Sequence, residues 1–152
     1  MASADGLKRF QKGEGDDGDW AWHLLVTKEA RESLPPAEVM RQSAIFDMIN
    51  GERSYVSDMD LVQEVRMLFH PRHSQVSRHL QIFIGGLRQA KPPVLSPDRL
   101  DGFVAEVFWN MDRILSHHQR MLGSLYDLQQ EQHPILLSVG DIVLDSKSSA
   151  LP

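Results

Sequence analysis

The sequence predicts an all-α protein, because two long stretches place apolar residues at the three- and four-residue spacing of a helix. The first runs from about Ala37 to Val65 and the second from about Pro97 to Gln132. The chain has 152 residues, of which 41% are hydrophobic, and this suits one domain with a modest core. A third apolar stretch, residues 135–145, fits a further helix, although its β-branched residues leave a strand open.

Residues 1–36 are predicted to be a disordered or extended lead. Their first 19 residues are rich in Gly, Asp and Lys, and bury too little apolar surface to offset the entropy of ordering. Residues 20–27 (WAWHLLVT) form a short apolar patch. Two interpretations stay open for this patch: a segment that packs on the helices or on a further domain, and a docking peptide for a partner protein.

The first long helix carries a carboxylate among its apolar residues. Four apolar residues project within about 60° of Ile45 when each residue turns the helix by about 100°: Met48, Ile49, Val56 and Met59. Glu52 projects about 20° from Ile45, on the same stripe. Burying an unpaired carboxylate is costly. Glu52 therefore pairs with an arginine or lysine inside the bundle, lies at the edge of the stripe, or meets a group on another protein.

Residues 66–82 (RMLFHPRHSQVSRHLQI) interrupt this pattern. They contain three arginines, three histidines and no acid, and Pro71 would break a helix. The histidines His70, His73 and His79 lack the companion ligands and tight spacing of a zinc site. We therefore interpret residues 66–82 as an insert and predict no metal site.

The second helical stretch has clear ends. Ser96 and Pro97 are a typical N-cap and first helical residue. His133–Pro134 forces a stop, because proline disfavours helix in the residue before it. A stretch this long is expected to contain a break, and the candidate positions are Gly102 and Gly123. Residues 146–152 are interpreted as a polar tail.

Composition and motifs exclude several classes of function. The formal net charge of −5 repels phosphate backbones, so nucleic acid is not an expected partner. The absence of cysteine excludes disulfides and thiolate metal sites. No apolar run reaches the roughly 18 residues of a transmembrane segment, and the first 20 residues contain no apolar signal core, so we do not expect secretion. We expect a cytoplasmic protein.

No catalytic constellation appears in the sequence. It contains no glycine-rich phosphate loop, nucleophile elbow or zincin motif, so we predict neither an enzyme nor a cofactor. His117 and His118 are expected to be satisfied or solvated side chains rather than catalytic bases.

Three stretches, in order, resemble the Dbl homology domain of Rho guanine nucleotide exchange factors. Residues 41–65 (RQSAIFDMINGERSYVSDMDLVQEV) are similar to its first conserved region, and residues 83–88 (FIGGLR) to the end of the same helix. Residues 107–125 (VFWNMDRILSHHQRMLGSL) are similar to its second conserved region. The residues before the first stretch resemble those of fungal exchange factors. Residues 37–145 are thus interpreted as a partial Dbl homology domain.

The resemblance implies an elongated helical bundle that binds a Rho-family small GTPase and promotes release of its GDP, without covalent chemistry. Glu52 matches the glutamate of the first conserved region, which in the family contacts switch I of the GTPase. Met48 and Tyr55 are expected to be neighbours in that contact.

The chain also departs from the family pattern. It contains no match to the third conserved region, which meets switch II, so impaired exchange is expected. It contains no match to the pleckstrin homology domain through which peripheral membrane association would occur. Removing residues 66–82 would restore the family's continuous helix, so we interpret them as a retained intron or splice variant, or as a genuine loop. The alternative function is a helical protein-binding fragment, or a truncated or mis-spliced product, without exchange activity.

Overall fold

The computed structural model describes residues 2–15, 19–67, 90–92, 94–107 and 109–150. Across these ranges the regular structure is helical and contains no strand, which confirms the predicted all-α class. None of the helices described there is long and apolar enough to cross a membrane. The helices are α1 (Ala2–Gln11), α2 (Trp22–Leu25), α3 (Lys28–Glu32), α4 (Pro36–Met67), α5 (Pro97–Val107), α6 (Met111–Gln132) and α7 (Gly140–Ala150).

The chain divides into two compact units. Unit 1 comprises Met1–Val56 and Ser116–Pro152, and unit 2 comprises Ser57–Leu115. In unit 2, Met111 and Leu115 are buried, and the Gln63 amide donates a hydrogen bond to Asp112 Oδ1 at 3.1 Å. The core that positions the predicted site belongs to unit 1.

Helix α4 matches the first predicted helix and extends it slightly at both ends. Pro36 suits the first turn, because a proline lacks only a backbone N–H that would be unbonded there. Glu38 follows in the same turn, where the helix dipole favours an acid. The insert prediction concerns residues 66–82, of which 66 and 67 end α4. Residues 68–82 and the FIGGLR stretch lie outside the described residues.

The buried face of α4 is rotated from the stripe that hydrophobicity predicted. Its buried residues project within about 40° of a common direction. They are Gln42, Phe46, Ile49, Arg53 and Val56. Ile45 and Met59 are only half-buried, and Met48 is exposed. Because Gln42 and Arg53 are buried through polar contacts, a pattern that counts apolar residues alone misplaces the centre. Glu52 therefore lies at the edge, about 80° from the middle of the buried face.

The prediction of disorder for residues 1–19 is wrong for most of them. Helix α1 buries Leu7, and the Phe10 ring is 0% exposed. Ring centroids lie 4.8 Å from Phe10 at Phe46 and 6.1 Å away at Tyr126. The Arg53 guanidinium carbon lies 4.8 Å from the Phe10 centroid, a cation–π contact. Average composition concealed this helix, because two well-placed apolar residues suffice to dock a short amphipathic segment.

The apolar patch at residues 20–27 follows the packing interpretation. Trp22 and Leu25 are buried, and the Trp22 indole N–H donates to the Pro134 carbonyl at 3.1 Å. Burial lowers the pKa of the nearby His133, while a hydrogen bond with the Leu25 backbone opposes that shift. Trp22 and Leu25 of the predicted lead thus pack near the residues that directly follow α6.

The second helical stretch is broken, but not at a glycine. Helix α5 begins at Pro97 as predicted, with the Arg99 N–H donating to the Ser96 carbonyl at 2.9 Å. It ends at Val107, and α6 begins at Met111, so Gly102 and Gly123 both lie inside helices. Helix α6 ends at Gln132, which confirms the predicted stop.

The predicted helix at residues 135–145 begins only at Gly140. Residues 135–139 are non-helical, because side chains of α4 bind their backbone instead. Gln42 Nε2 donates to the Leu136 carbonyl at 2.7 Å, and the Leu136 N–H donates to Gln42 Oε1 at 3.0 Å. Arg41 donates to the carbonyls of Leu136 and Leu137 at 2.6 and 3.0 Å. The predicted polar tail is also helical as far as Ala150.

Glu38 orders the two donors that hold this segment. Its carboxylate accepts hydrogen bonds from Arg41 at 2.7 and 2.8 Å and from Gln42 Nε2 at 2.9 Å. The Arg41 bonds, followed by the Gln42 bond, lower the pKa of Glu38 from 4.5 to about 2. We call Glu38, Arg41 and Gln42 the Glu38 cluster.

Candidate functional site

Glu52 is partly buried and already hydrogen-bonded in the free chain. Its side chain is 13% exposed, and its Oε1 accepts a hydrogen bond from His118 Nδ1 at 2.5 Å. Since an ionised carboxylate only accepts hydrogen bonds, we assign a proton to Nδ1 of His118. The partner of Glu52 is thus a histidine of α6, rather than the arginine or lysine that the sequence suggested as an internal partner.

Two aromatic rings lie near His118. Its ring centroid lies 4.5 Å from that of Tyr55 at an interplanar angle of 57°. The His117 ring is 5.6 Å away and nearly perpendicular, at 88°. Glu52 and Tyr55 are three residues apart on α4, a spacing that puts them on one helix face. Both contact the same histidine.

The three site residues predicted from the sequence share one stripe of α4. Met48, Glu52 and Tyr55 follow at intervals of four and three, so they project within about 60° of one another. Met48 is 39% exposed and Tyr55 is 40% exposed, on either side of the partly buried Glu52. We call these three residues the open stripe of α4. It offers an anionic group between two accessible nonpolar or aromatic side chains.

The open stripe is chemically suited to accept a donor from another molecule. A carboxylate has about four lone-pair positions, so one bond to His118 leaves capacity for further hydrogen bonds. Methionine and tyrosine are enriched at protein interfaces, because they give large contact areas. Among the described residues, no group of three His, Asp or Glu is arranged to hold a metal ion. His70, His73 and His79 lie outside those residues.

Sequence reasoning described His118 as satisfied or solvated but did not place it beside Glu52. The structure shows that it is satisfied, by Glu52. A helical signal for its inward position does exist: His118 lies in one row of α6 with Leu122, Leu125 and Gln129, at intervals of four, three and four. These three residues are buried. A polar side chain in such a row requires a hydrogen-bond partner.

Three curated yeast proteins are similar to the chain. RHO1 GDP-GTP exchange protein 2 of Saccharomyces cerevisiae is 29% identical over 142 residues, which cover 91% of this chain and 9% of the relative. Rho1 guanine nucleotide exchange factor 3 of Schizosaccharomyces pombe is 26% identical over 125 residues, which cover 82% of this chain and 8% of the relative. RHO1 GDP-GTP exchange protein 1 of S. cerevisiae is 24% identical over 142 residues, which cover 91% of this chain and 11% of the relative.

The chain thus spans about a tenth of the length of these relatives. No protein-family model matches the chain, and no solved structure matches it. At 91% coverage the similarity extends into residues 1–36, a segment that belongs to unit 1. The predicted resemblance to fungal Rho exchange factors is confirmed by these relatives.

Proposed function

We propose that this chain is part of the Dbl homology domain of a Rho guanine nucleotide exchange factor, and that it acts in the cytoplasm on a Rho-family small GTPase. The observation that carries the proposal is the similarity to three fungal Rho1 exchange proteins, which spans 82–91% of the chain. The all-helical fold supports it.

The proposed activity needs no covalent chemistry and no cofactor of the chain's own. An exchange factor that binds the nucleotide-free GTPase more tightly than the loaded form shifts the equilibrium towards nucleotide release. In this proposal the Glu52 carboxylate accepts a hydrogen bond from switch I. Met48 and Tyr55 flank that contact with accessible surface. The position of Glu52 at the edge of the buried face supports this role, because a fully buried carboxylate would not reach a partner.

The test is release of fluorescent GDP from a loaded Rho-type GTPase. We expect the chain to accelerate release and Glu52→Ala to abolish the acceleration, because the substitution removes the proposed switch I acceptor. Asp47→Ala is the matched control: Asp47 is an exposed acid of the same helix, on a face turned away from the open stripe. Circular dichroism of each variant establishes that the fold is retained.

Each outcome of this experiment has a defined meaning. Acceleration that survives in the Glu52→Ala variant would remove Glu52 from the proposed contact. Binding of the GTPase without acceleration would favour the alternative of a helical binding fragment. Neither binding nor acceleration, with folded protein and several Rho-type GTPases, would overturn the proposal as a whole.

A further inference from the structure

We infer that His118 is a positioning residue for Glu52, holding its carboxylate in the orientation that the proposed site presents to the GTPase. The inference rests on the proposed function. The observation that carries it is the 2.5 Å bond between His118 Nδ1 and Glu52 Oε1, at the edge of the half-exposed stripe. A glutamate in this location would otherwise sample several rotamers.

Fixing the carboxylate in advance favours association. A long, flexible side chain loses conformational freedom when a partner immobilises it, and that loss opposes binding. The bond to His118 imposes much of this loss in the free chain, before the partner arrives. The carboxylate then meets the GTPase already oriented.

His118 is itself held in place. Its ring contacts Tyr55 at 4.5 Å and His117 at 5.6 Å. Its place in the row of α6 that includes the buried Leu122 and Leu125 directs it towards the interior of unit 1. A donor confined in this way fixes its acceptor more firmly than a mobile surface side chain.

The chemistry of imidazole suits this task. A single Nδ1–H contacts one carboxylate oxygen, whereas an arginine fork in the same position would engage both oxygens. Histidine therefore orients Glu52 while leaving its second oxygen to a donor on the partner. Tyr55 belongs to the open stripe and also packs against His118. The residue that orients Glu52 is therefore in direct contact with the surface proposed to bind the GTPase.

The test compares two substitutions in the GDP-release assay with the full chain. His118→Phe keeps a ring to pack on Tyr55 but removes the donor, and we expect acceleration to fall by roughly two- to tenfold, because the freed carboxylate must then be immobilised on binding. His118→Asn loses the ring but keeps an N–H donor near the position of Nδ1, and we expect it to retain more acceleration than His118→Phe. A purely structural role for the ring predicts the opposite order.

His23→Phe is the control, because it makes the same chemical change at an exposed residue of α2. It should leave acceleration unchanged. If His118→Phe is as active as the unsubstituted chain, or more active than His118→Asn, the inference fails while the proposed function stands. If the unsubstituted chain accelerates release from no Rho-type GTPase, the proposed function fails and the inference with it.

A second measurement does not depend on exchange activity. Long-range proton–nitrogen NMR spectra of the unsubstituted chain identify which ring nitrogen of His118 carries the proton. We expect Nδ1 to carry it, and its proton resonance to shift in Glu52→Gln. A His118 ring protonated only at Nε2 would overturn the inference even in an active chain.

Discussion

Two stripes of helix α4 lie side by side: the buried face encloses polar side chains, whereas the open stripe leaves apolar and aromatic side chains accessible. The buried face places Gln42 and Arg53 among Phe46 and Ile49, and gives both polar side chains contacts within unit 1. The open stripe leaves Met48 and Tyr55 about two-fifths exposed around Glu52. Hydropathy therefore does not distinguish the two stripes. They differ in where their contacts are made: the buried face is satisfied within the chain, whereas the open stripe has surface available to a partner.

This difference separates stability from recognition. Substitutions on the buried face should reduce the free energy of unfolding, because they remove buried contacts. Truncation of the exposed Met48 should change stability little, and substitutions on the open stripe should affect the proposed GTPase contact.

The largest effect is expected from Phe10→Ala. The Phe10 ring is fully buried against Phe46 and Arg53, so truncation leaves a cavity in unit 1. Buried phenylalanine truncations cost about 3–5 kcal/mol, and we expect a loss in that range. The measurement is urea unfolding followed by circular dichroism.

Two controls accompany this variant. Phe103→Ala makes the same change at a residue of α5 that is 41% exposed, and Met48→Ala truncates a member of the open stripe. Each should cost less than about 1 kcal/mol. If Phe10→Ala were equally mild, the amino-terminal helix would not be docked, and the original prediction of a disordered lead would be restored.

A smaller loss is expected from Gln42→Met. This substitution keeps the approximate size of a buried side chain but removes both hydrogen bonds to Leu136. Leaving the Leu136 N–H without its acceptor should cost about 2 kcal/mol. Gln130→Met, at an exposed residue bonded to Gln11 at 2.8 Å, should cost less than about 0.5 kcal/mol in the same assay. Equal losses for the two variants would mean that burial of the Gln42 bonds contributes nothing.

The Glu38 cluster should make the free energy of unfolding depend on pH in the acidic range. The pKa of Glu38 is about 2 in the folded chain and 4.5 in its ordinary state. A depressed carboxyl pKa contributes its full stabilisation above pH 4.5 and loses it as the pH falls from 4.5 towards 2. We expect Glu38→Gln to lower stability at neutral pH and to flatten the acid dependence. Unfolding measured between pH 7 and pH 2.5 tests this; an unchanged slope in the variant would contradict the assignment to Glu38.

Local pattern alone predicts a large part of this fold. The helical class, the extent of α4, the start of α5 at Pro97 and the stop of α6 before His133 all follow from periodicity and proline chemistry. These features depend on near neighbours in the chain, and so one sequence suffices to predict them. The grouping of Met48, Glu52 and Tyr55 on one face follows from helical spacing in the same way.

The incorrect predictions concern features that depend on contacts between distant parts of the chain. The helix containing Phe10 is stabilised by residues of α4 and α6, which composition over residues 1–19 does not reveal. The delayed start of α7 reflects Arg41 and Gln42, which bind the backbone of residues some 95 positions later. The rotated buried face of α4 has the same origin, because the burial of Arg53 depends on Phe10.

The surroundings of Glu52 also divide into what local pattern predicts and what contacts between helices decide. The sequence predicts that Glu52 lies on a helical apolar stripe and needs a partner, because an isolated buried carboxylate is costly. That His118 is this partner, with its ring near that of Tyr55, depends on the packing of α4 against α6, because the bonded residues are 66 positions apart in the chain. Periodicity places a side chain around its own helix axis, but a hydrogen bond between helices depends on how their side chains pack together.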